Sequence, residues 1–318
     1  MDRFKKISDI FAANLLKGML KSAHFRLHFI VFLWGFTAIL GKLIHANAEI
    51  LVFYRMLFAS TFLYLFIRFF KKDSIKVSKS MLLKLIGVGS LMAFHWLFFF
   101  SSIKVSNVSI ALSCLGTSTL FAALIEPLIY KRKVDFSEIV MGIVIVICVS
   151  LIFKVEFQYK LGIIYGLICA LLGTIFSVFN GKLYGKTSSG NIIFYEIFGG
   201  WLVLSLYYIF SGQISQVGEI SYRDLALLTL LASVFTAFPM FESVNLMKYI
   251  SPFTLILTVN LEPIYGIILA FFIFGESEKM SLVFYGASLV MILAIVINGI
   301  IKARKNSVSK NENLEIKN

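Results

Sequence analysis

The chain is dominated by long apolar runs that are separated by short polar segments. A helix needs about 20 apolar residues to cross the hydrocarbon core of a bilayer, and each run approaches that length. Ten runs follow one another, at residues 25–44, 49–70, 81–101, 106–129, 136–153, 160–182, 190–211, 223–245, 250–274 and 280–301. The pattern predicts an all-α integral membrane protein of about ten transmembrane helices.

Composition supports the same interpretation. Of 318 residues, 59% are hydrophobic and only 15% are charged, and the mean hydropathy is +0.88. Soluble domains carry about 25% charged residues, so a packed core would not hide this much apolar surface. We expect the lipid bilayer to surround much of the chain.

The positive charges predict the orientation. The net charge is +13, but the basic residues form short clusters between apolar runs, which argues against a nucleic-acid partner. Of the 30 lysines and arginines, 23 fall on the side that holds both termini, six fall on the opposite side, and Arg55 lies within a span. Cytoplasmic loops carry the excess of lysine and arginine. We therefore expect both termini in the cytoplasm of a bacterial-type inner membrane.

Residues 1–24 precede the first span and lack the features of a cleavable signal peptide. Apolar residues recur there every three or four positions, at Phe4, Ile7, Phe11, Leu15 and Met19. The spacing predicts an amphipathic helix on the anionic cytoplasmic leaflet, and a disordered basic tail is the alternative.

The chain also resembles itself at an offset of 140 to 144 residues. The matching groups are Gly41-Lys42-Leu43 with Gly181-Lys182-Leu183, Phe53-Tyr54-Arg55 with Phe194-Tyr195-Glu196, Phe94 and Lys104 with Phe238 and Lys248, and Gly142 with Gly286. Each half, 25–154 and 160–302, holds five spans, so the second half enters the membrane from the opposite side. Two inverted five-helix repeats are typical of secondary transporters with a site near the midplane. A cytoplasmic tail, 303–318, follows.

Short motifs carry a resemblance to a known family over residues 25–302. They are Leu33-Trp34-Gly35, Phe53-Tyr54-Arg55, Asn260-Leu261-Glu262-Pro263, Phe274-Gly275-Glu276 and Gly286. Together they resemble the EamA-like branch of the drug/metabolite transporter superfamily. The first half departs from the pattern, with Thr117-Ser118-Thr119 and Lys131-Arg132 at the corresponding positions. The resemblance implies transport of small metabolites, often outward and often against protons.

Glu262 is the leading candidate for substrate binding or coupling. It falls near the middle of the ninth predicted span, where an ionisable residue normally faces a cavity or a partner. Pro263 follows and removes a backbone donor, and Thr258 lies one turn earlier on the same face. The alternative is that Glu262 and Pro263 only shape a kink.

Three polar residues in the first half are further candidates. Ser118, the counterpart of Glu262, and Thr117 could contact a polar substrate or bond to helix carbonyls. His95 has a side chain suited to a proton relay, although a packing role is the alternative.

Four more residues complete the candidate set. Arg55 and Glu196 occupy matched positions but lie toward opposite faces, so we do not expect them to pair with each other. Either could be structural or contact substrate. Glu242 could pair with a gate residue, and Trp34 could line an apolar pocket.

These features predict a secondary transporter, an exporter by family resemblance, that works by alternating access. An integral-membrane enzyme and a non-transporting subunit are the alternatives. No phosphate-binding loop or catalytic motif is present in the sequence, so we expect neither ATP hydrolysis nor an enzyme. Three cysteines, Cys114, Cys148 and Cys169, lie singly in apolar runs, and we expect no cofactor or metal. The expected partners are a small-molecule substrate, lipid and protons. Substrate identity and oligomeric state stay open.

Overall fold

The computed structural model describes residues 22–183, 185–246, 249–250 and 258–315, without the side chains of 244 and 302–315. Most of the predicted N-terminal amphipathic segment therefore lies outside the described residues, as do residues 251–257 of the predicted ninth span. In the described part of the chain every regular element is a helix.

The α-helices are Ala23–Leu43, Ala48–Leu65, Lys79–Val105, Val108–Leu115, Ser118–Tyr130, Phe136–Val155, Lys160–Leu183, Ser189–Phe210, Tyr222–Ala232, Phe238–Leu246, Glu262–Phe274 and Leu282–Glu315. Two π-helical segments are Phe66–Lys71 and Ser233–Ala237, and three short 3-10 turns are Phe157–Tyr159, Ile214–Gly218 and Gly275–Glu278. The last helix continues beyond the predicted end of the tenth span.

Nine segments of the described chain are long and apolar enough to cross a membrane. They correspond in order to the first eight predicted spans and to the tenth. The predicted ninth span is represented by the helix Glu262–Phe274 and the turn before it. The predicted all-α membrane architecture is confirmed.

Side-chain caps explain why these apolar runs begin where they do. Asn47 and Asn107 each accept a hydrogen bond from the backbone N–H three residues later, at 2.9 Å in both cases. The caps satisfy donors that a helix leaves without an intrahelical partner. Short connections between spans are therefore possible without unsatisfied backbone groups.

The packing of the spans relates the two halves. The second span packs against the seventh, the fifth against the tenth, and the helix Val108–Leu115 of the fourth span against Glu262–Phe274 of the ninth. The third span packs on the sixth, and the first span packs on the eighth. If each span of the first half is exchanged for its counterpart in the second (the first for the sixth, the second for the seventh, and so on), the same set of packed pairs results. A pseudo-two-fold axis between the halves produces this pattern.

The fourth and ninth spans are both interrupted, a feature that the apolar runs at 106–129 and 250–274 do not reveal. Helix Val108–Leu115 ends before Gly116, and a new helix starts at Ser118. In the ninth span Asn260 and Leu261 form a turn before Glu262–Phe274. Each of the two following half-helices has 13 residues. Pro263 lies in the first turn of the second, where its missing N–H costs no helical bond.

Glycines allow close approach at two helix contacts. A Cβ at Gly162 would lie 2.3 Å from Ser106 Oγ, between the third and sixth spans. A Cβ at Gly266 would lie 2.3 Å from Leu112 Cδ1, where the ninth span meets the fourth. At either position a Cβ would require the neighbouring side chain to move, so glycine allows the closer packing seen here.

The bundle has two ends, which we name by matched lysines of the two halves. The Lys42 end holds Lys42, His45 and Glu278, and the Lys182 end holds Arg26 and Lys182.

Candidate functional site

Arg55 lies buried in the second span, with 3% of its surface exposed. Its Nε donates a hydrogen bond to Thr236 Oγ1 at 3.0 Å, and its guanidinium carbon lies 3.8 Å from the centroid of the Trp96 ring. Its Nη1 has no hydrogen-bond partner in the described residues. The guanidinium is therefore held in a fixed plane with one edge unoccupied.

Thr236 can accept this bond because of its position in the π-helical segment of the eighth span. Its hydroxyl donates to the carbonyl of Leu231, five residues earlier, at 2.8 Å. The oxygen is left as an acceptor for Arg55. Single π-helical turns within α-helices often mark functional sites.

Glu262 lies in the first turn of its half-helix and is half-buried. One turn later Gly266 packs against Leu112 and the carbonyl of Gly35, so this face of the half-helix points into the bundle. Glu262 and Arg55 lie within electrostatic range of each other. Neither forms an ion pair among the described side chains. The two opposite charges therefore lie within the bundle without direct contact.

The hydroxyls of the fourth span lie beside the break. Thr117 Oγ1 donates to the carbonyl of Cys114 at 2.6 Å, and Ser118 Oγ is 3.5 Å from the carbonyl of Ala170. Both therefore bond to helix carbonyls in this conformation. Thr258 is buried, and its carbonyl accepts the N–H of Leu261 at 3.0 Å across the other break.

His95 bonds to the sixth span. Its Nδ1 lies 2.9 Å from the carbonyl oxygen of Cys169, and a Cβ at Gly173 would lie 2.7 Å from the same nitrogen. The ring thus packs tightly between the third and sixth spans. Trp34 is half-buried and packs with an apolar cluster that includes Leu27, Ile30 and Leu246.

Glu196 is fully buried in the seventh span. Its Oε2 accepts a hydrogen bond from Asn180 at 3.2 Å, and Oε1 has no described partner. No described ion pair joins Glu196 to Arg55. The backbone of Glu196 touches the third span, where a Cβ at Gly89 would lie 2.0 Å from its carbonyl oxygen.

Glu242 forms an ion pair with Arg26, which links the first and eighth spans near the Lys182 end. The pair joins the two halves of the chain. It is partly accessible, since the Arg26 side chain is 29% exposed and that of Glu242 is 12% exposed.

The Lys42 end is held by a buried carboxylate. Glu278 is 0% exposed and pairs with Lys42 at 2.7 Å. It also accepts hydrogen bonds from the backbone N–H groups of Val108 and Ser109, at 3.0 and 2.9 Å, and from Ser109 Oγ at 2.8 Å. Glu278 therefore joins the loop before the tenth span to the first and fourth spans of the other half.

Two further carboxylates hold the same end. Asp224 accepts hydrogen bonds from the backbone N–H groups of His45 and Ala46, at 3.0 and 2.9 Å. Glu156 accepts one from the N–H of Ser281 at 3.0 Å. The Asp224 bonds cross from one half of the chain to the other, and the Glu156 bond ties the connection between the halves to the second half.

A lysine packs over an aromatic ring at both ends of the bundle, and the distance is longer at the Lys182 end. Lys42 lies over the ring of Phe274 at 4.4 Å, and Lys182 lies over the ring of Tyr130 at 5.6 Å. Tyr130 and Phe274 are 144 residues apart and end the two 13-residue half-helices. Lys182 is exposed and forms no ion pair among the described residues.

The loop before the fifth span has its own ion pairs. Arg132 lies 2.9 Å from the buried carboxylate of Glu138 and 3.0 Å from Glu126. The hydrogen bonds to Glu138 are the main reason that the pKa of Arg132 is raised above its ordinary range. Arg132 therefore stays ionised at any physiological pH.

Sequence reasoning missed four polar residues of this framework: Thr236, Trp96, Asp224 and Glu278. Glu278 was visible only as part of an acidic loop, and Asp224 only as a charge beside Arg223. Arg55 lies 41 positions from Trp96 and 181 from Thr236, and the partners of Asp224 and Glu278 described above lie 169 or more positions away, so no local pattern could pair them.

Two apolar grooves lie on the surface away from these charges. One, of about 330 Å³, is lined by Leu120, Ala123, Gly142 and Ile143, among others. The other, of about 480 Å³, is lined by the fifth and tenth spans, including Ile147 and Val290. Their lining is apolar and faces outward, as expected of lipid-contacting surface, so neither is the candidate site.

The fold and the mid-span charges define an all-α integral membrane protein built from two five-span halves. The sequence model of the EamA-like transporter family matches residues 23–154, which hold the first five spans. That match confirms the resemblance to the drug/metabolite transporter superfamily over residues 23–154.

Comparisons with solved structures and with curated proteins say less about the family of the chain. A solved structure titled only "Crystal structure of protein" matches with a TM-score of 0.58 at 13% identity, covering 89% of this chain and 99% of its own. At that identity the likeness shows the fold alone. No curated protein matches the chain.

Proposed function

We propose that the chain is a secondary carrier that exports a small metabolite by alternating access of its two halves. The observation that carries the proposal is the pair of interrupted spans. Two half-helices, Ser118–Tyr130 and Glu262–Phe274, begin near mid-span and run to opposite ends of the bundle. Interrupted helices near the bilayer midplane form the substrate sites of many secondary transporters.

The orientation is part of the same proposal. The Lys182 end faces the cytoplasm of a bacterial inner membrane, and both termini lie on that side. The support is the distribution of positive charge, with 23 lysines and arginines on that side against six on the other. Fusion of a periplasm-active reporter to either terminus tests it, and we expect no reporter activity.

The coupling ion is a proton, and Glu262 carries it. The supports are the mid-span position of this carboxyl and its partial burial. An intramembrane carboxyl is a common element of proton relays.

The first experiment measures flux. Purified protein in proteoliposomes is assayed for counterflow of labelled amino acids, nucleosides and sugars. Glu262→Gln keeps the shape of the side chain and removes its titration, so we expect counterflow to be lost while insertion is retained. Glu276→Gln is the matched control, because the Glu276 side chain is 85% exposed. Wild-type flux in Glu262→Gln would contradict the role of this carboxyl.

The second experiment tests alternating access without knowledge of the substrate. Ser118→Cys places a thiol beside the break in the fourth span. The native cysteines are buried, at 4% exposure or less, and supply the baseline. A membrane-impermeant thiol reagent should label the new cysteine from either face of the membrane. Labelling from one face only would contradict a carrier that opens to both.

A further inference from the structure

We propose that the apolar groove between the half-helix Ser118–Tyr130 and the fifth span is a binding site for an anionic phospholipid. An acyl chain lies in the groove, and the phosphate of the headgroup lies against Lys131 and Lys133 in the loop at one end of it. The site is on the outer surface of the bundle, so the inference does not depend on the transported substrate or on the coupling ion.

The groove supplies the contact for the acyl chain. It faces outward and has a volume of about 330 Å³. Its walls are the half-helix and the fifth span, and its lining includes Leu124 and Ile143, which are 58% and 57% exposed. Gly142 leaves the groove deeper, because a Cβ there would lie 2.8 Å from Leu120 Cδ1 on the opposite wall. The groove therefore offers van der Waals contact to an extended apolar group.

One end of the groove meets the loop that joins the half-helix to the fifth span. Glu138 lines that end, and its carboxylate pairs with Arg132 at 2.9 Å. Arg132 also pairs with Glu126 at 3.0 Å. The charge of Arg132 is thus compensated within the protein, and the two ion pairs hold the loop against the end of the groove.

Two lysines flank Arg132 in this loop. Lys131 and Lys133 are exposed and form no ion pair among the residues that the structure describes. Lys131 ends the half-helix with a backbone φ of 54°, and Val134, which follows Lys133, lines the groove. The end of the groove therefore carries positive charge that no described carboxylate compensates.

The matching loop of the second half has a different balance of charge. It precedes the tenth span, which forms one wall of the second groove. In this loop Glu276 pairs with Lys279 at 3.2 Å, and Glu278 pairs with Lys42. The charges of this loop compensate one another, whereas those of the loop at residues 131–135 leave two lysines over.

An anionic phospholipid supplies what each part of the first groove can contact. Its phosphate is an anion of the kind that lysine binds as a point charge, and its chains are apolar. Basic clusters beside a span attract anionic lipids of the cytoplasmic leaflet, the leaflet in which the proposed orientation places this loop. A zwitterionic phospholipid has the same chains but no net charge, so we expect it to bind more weakly.

The first experiment compares three ligands on the unaltered chain in a neutral detergent. Dioleoylphosphatidylglycerol and dioleoylphosphatidylcholine share their acyl chains and differ in charge, and glycerol 3-phosphate has the phosphate without a chain. Native mass spectrometry counts the bound ligand over a range of concentrations. We expect phosphatidylglycerol to bind at least about tenfold more tightly than phosphatidylcholine, and glycerol 3-phosphate not to bind at the same concentrations.

The second experiment removes the charges at the end of the groove. Lys131→Gln combined with Lys133→Gln should weaken phosphatidylglycerol by about tenfold and leave phosphatidylcholine unchanged. Lys72→Gln combined with Lys76→Gln is the matched control at the same end of the bundle. Lys72 is exposed like Lys131 and also has a positive φ, 55°, but neither control lysine borders the groove. The control should keep the preference for phosphatidylglycerol.

The third experiment fills the groove. Gly142→Leu places a side chain between its two walls and should weaken phosphatidylglycerol by about tenfold or more. Gly286→Leu is the matched control, because Gly286 is the counterpart of Gly142 and lines the other groove, where a Cβ would meet no atom within 4 Å. It should leave the affinity unchanged. The thermal unfolding midpoint without added lipid checks that each variant is folded.

Four results would overturn the inference. Equal affinity for the two lipids would show that charge has no part in binding, and equal affinity for glycerol 3-phosphate would show that the acyl chain has none. Equal losses in the two pairs of lysine variants would show general attraction to a basic surface. Unchanged binding in a folded Gly142→Leu variant would place the lipid elsewhere. The comparison of ligands on the unaltered chain needs no variant to fold.

Discussion

Lys42 and Lys182 occupy matched positions in the two halves, and we call their immediate surroundings the Lys42 corner and the Lys182 corner. The two corners are held by very different contacts. At the Lys42 corner the lysine contacts Phe274 and also pairs with the buried carboxylate of Glu278. At the Lys182 corner the lysine contacts Tyr130 and is otherwise exposed. The same aromatic contact is therefore reinforced by a buried ion pair at one end only.

The carboxylates of the two matching loops show the same difference. Glu278, before the tenth span, bonds to the first and fourth spans of the other half. Glu138, in the first turn of the fifth span, pairs with Arg132 of the loop just before it. The Lys42 end is joined across the halves by Glu278 and Asp224, and Glu156 adds a bond from the connection between the halves. This conformation is closed at the Lys42 end, and we expect alternation to break that set of bonds.

The largest effect is expected for Glu278→Ala. The change removes the partner of Lys42 and leaves the N–H groups of Val108 and Ser109 without an acceptor. Breaking a buried ion pair costs about 3–5 kcal/mol, so we expect a loss of about 3 kcal/mol in the free energy of unfolding. Chemical or thermal unfolding in detergent measures it. The exposed neighbour Glu276→Ala should change stability by less than about 0.5 kcal/mol, and equal losses would contradict the comparison.

The second-largest effect is expected from replacing each of the matched lysines by alanine, because the two variants should change the labelling rate of the Ser118→Cys reporter by different amounts. Lys42→Ala weakens the closed end, so the Ser118→Cys reporter should react about fivefold faster from the Lys42 side, which corresponds to about 1 kcal/mol. Lys182→Ala removes a cation–π contact at an exposed site and should leave the rate nearly unchanged. Equal acceleration by both variants would show that the corners are equivalent.

Asp224→Asn should have a smaller effect on stability. The backbone N–H groups of His45 and Ala46 keep an acceptor but lose the charge on it. Hydrogen bonds to charged groups exceed neutral ones by about 1 kcal/mol, and we expect a loss of that size. The reporter should again react faster from the Lys42 side. A higher free energy of unfolding in Asp224→Asn than in the unaltered chain would contradict the role of Asp224 in holding the Lys42 end.

The smallest effect is expected at the loop of the Lys182 end. Arg132→Lys retains a charge for Glu138 but loses the double contact with Glu138 and Glu126. The Arg132 side chain is 31% exposed, so solvent screens these pairs and we expect a loss of about 0.5 kcal/mol. The folded pKa of Arg132 is raised above its already high ordinary value, so its contribution is fully present throughout the physiological pH range and is lost only in strong alkali. The Arg132→Lys difference in unfolding free energy should therefore stay constant between about pH 6 and pH 9.

The sequence by itself determined the membrane class and the helical runs, and its motifs carried the family resemblance that the match over residues 23–154 supports. These follow from hydrophobic length, charge distribution and short motifs, which are local or periodic properties of the chain. It also identified Arg55 and Glu262 as unusual, because charges within apolar runs are costly.

Only the tertiary structure decided where the spans are interrupted and which side chains the mid-span polar residues contact. The breaks at Gly116 and Asn260 lie within runs that are continuous in hydropathy, since hydropathy does not depend on backbone hydrogen bonding. The bond from Arg55 to Thr236 joins residues 181 positions apart, and that from Ser109 to Glu278 joins residues 169 apart. Such partners are selected by the packing of whole helices, so the difference between the two corners becomes visible only once the halves are assembled.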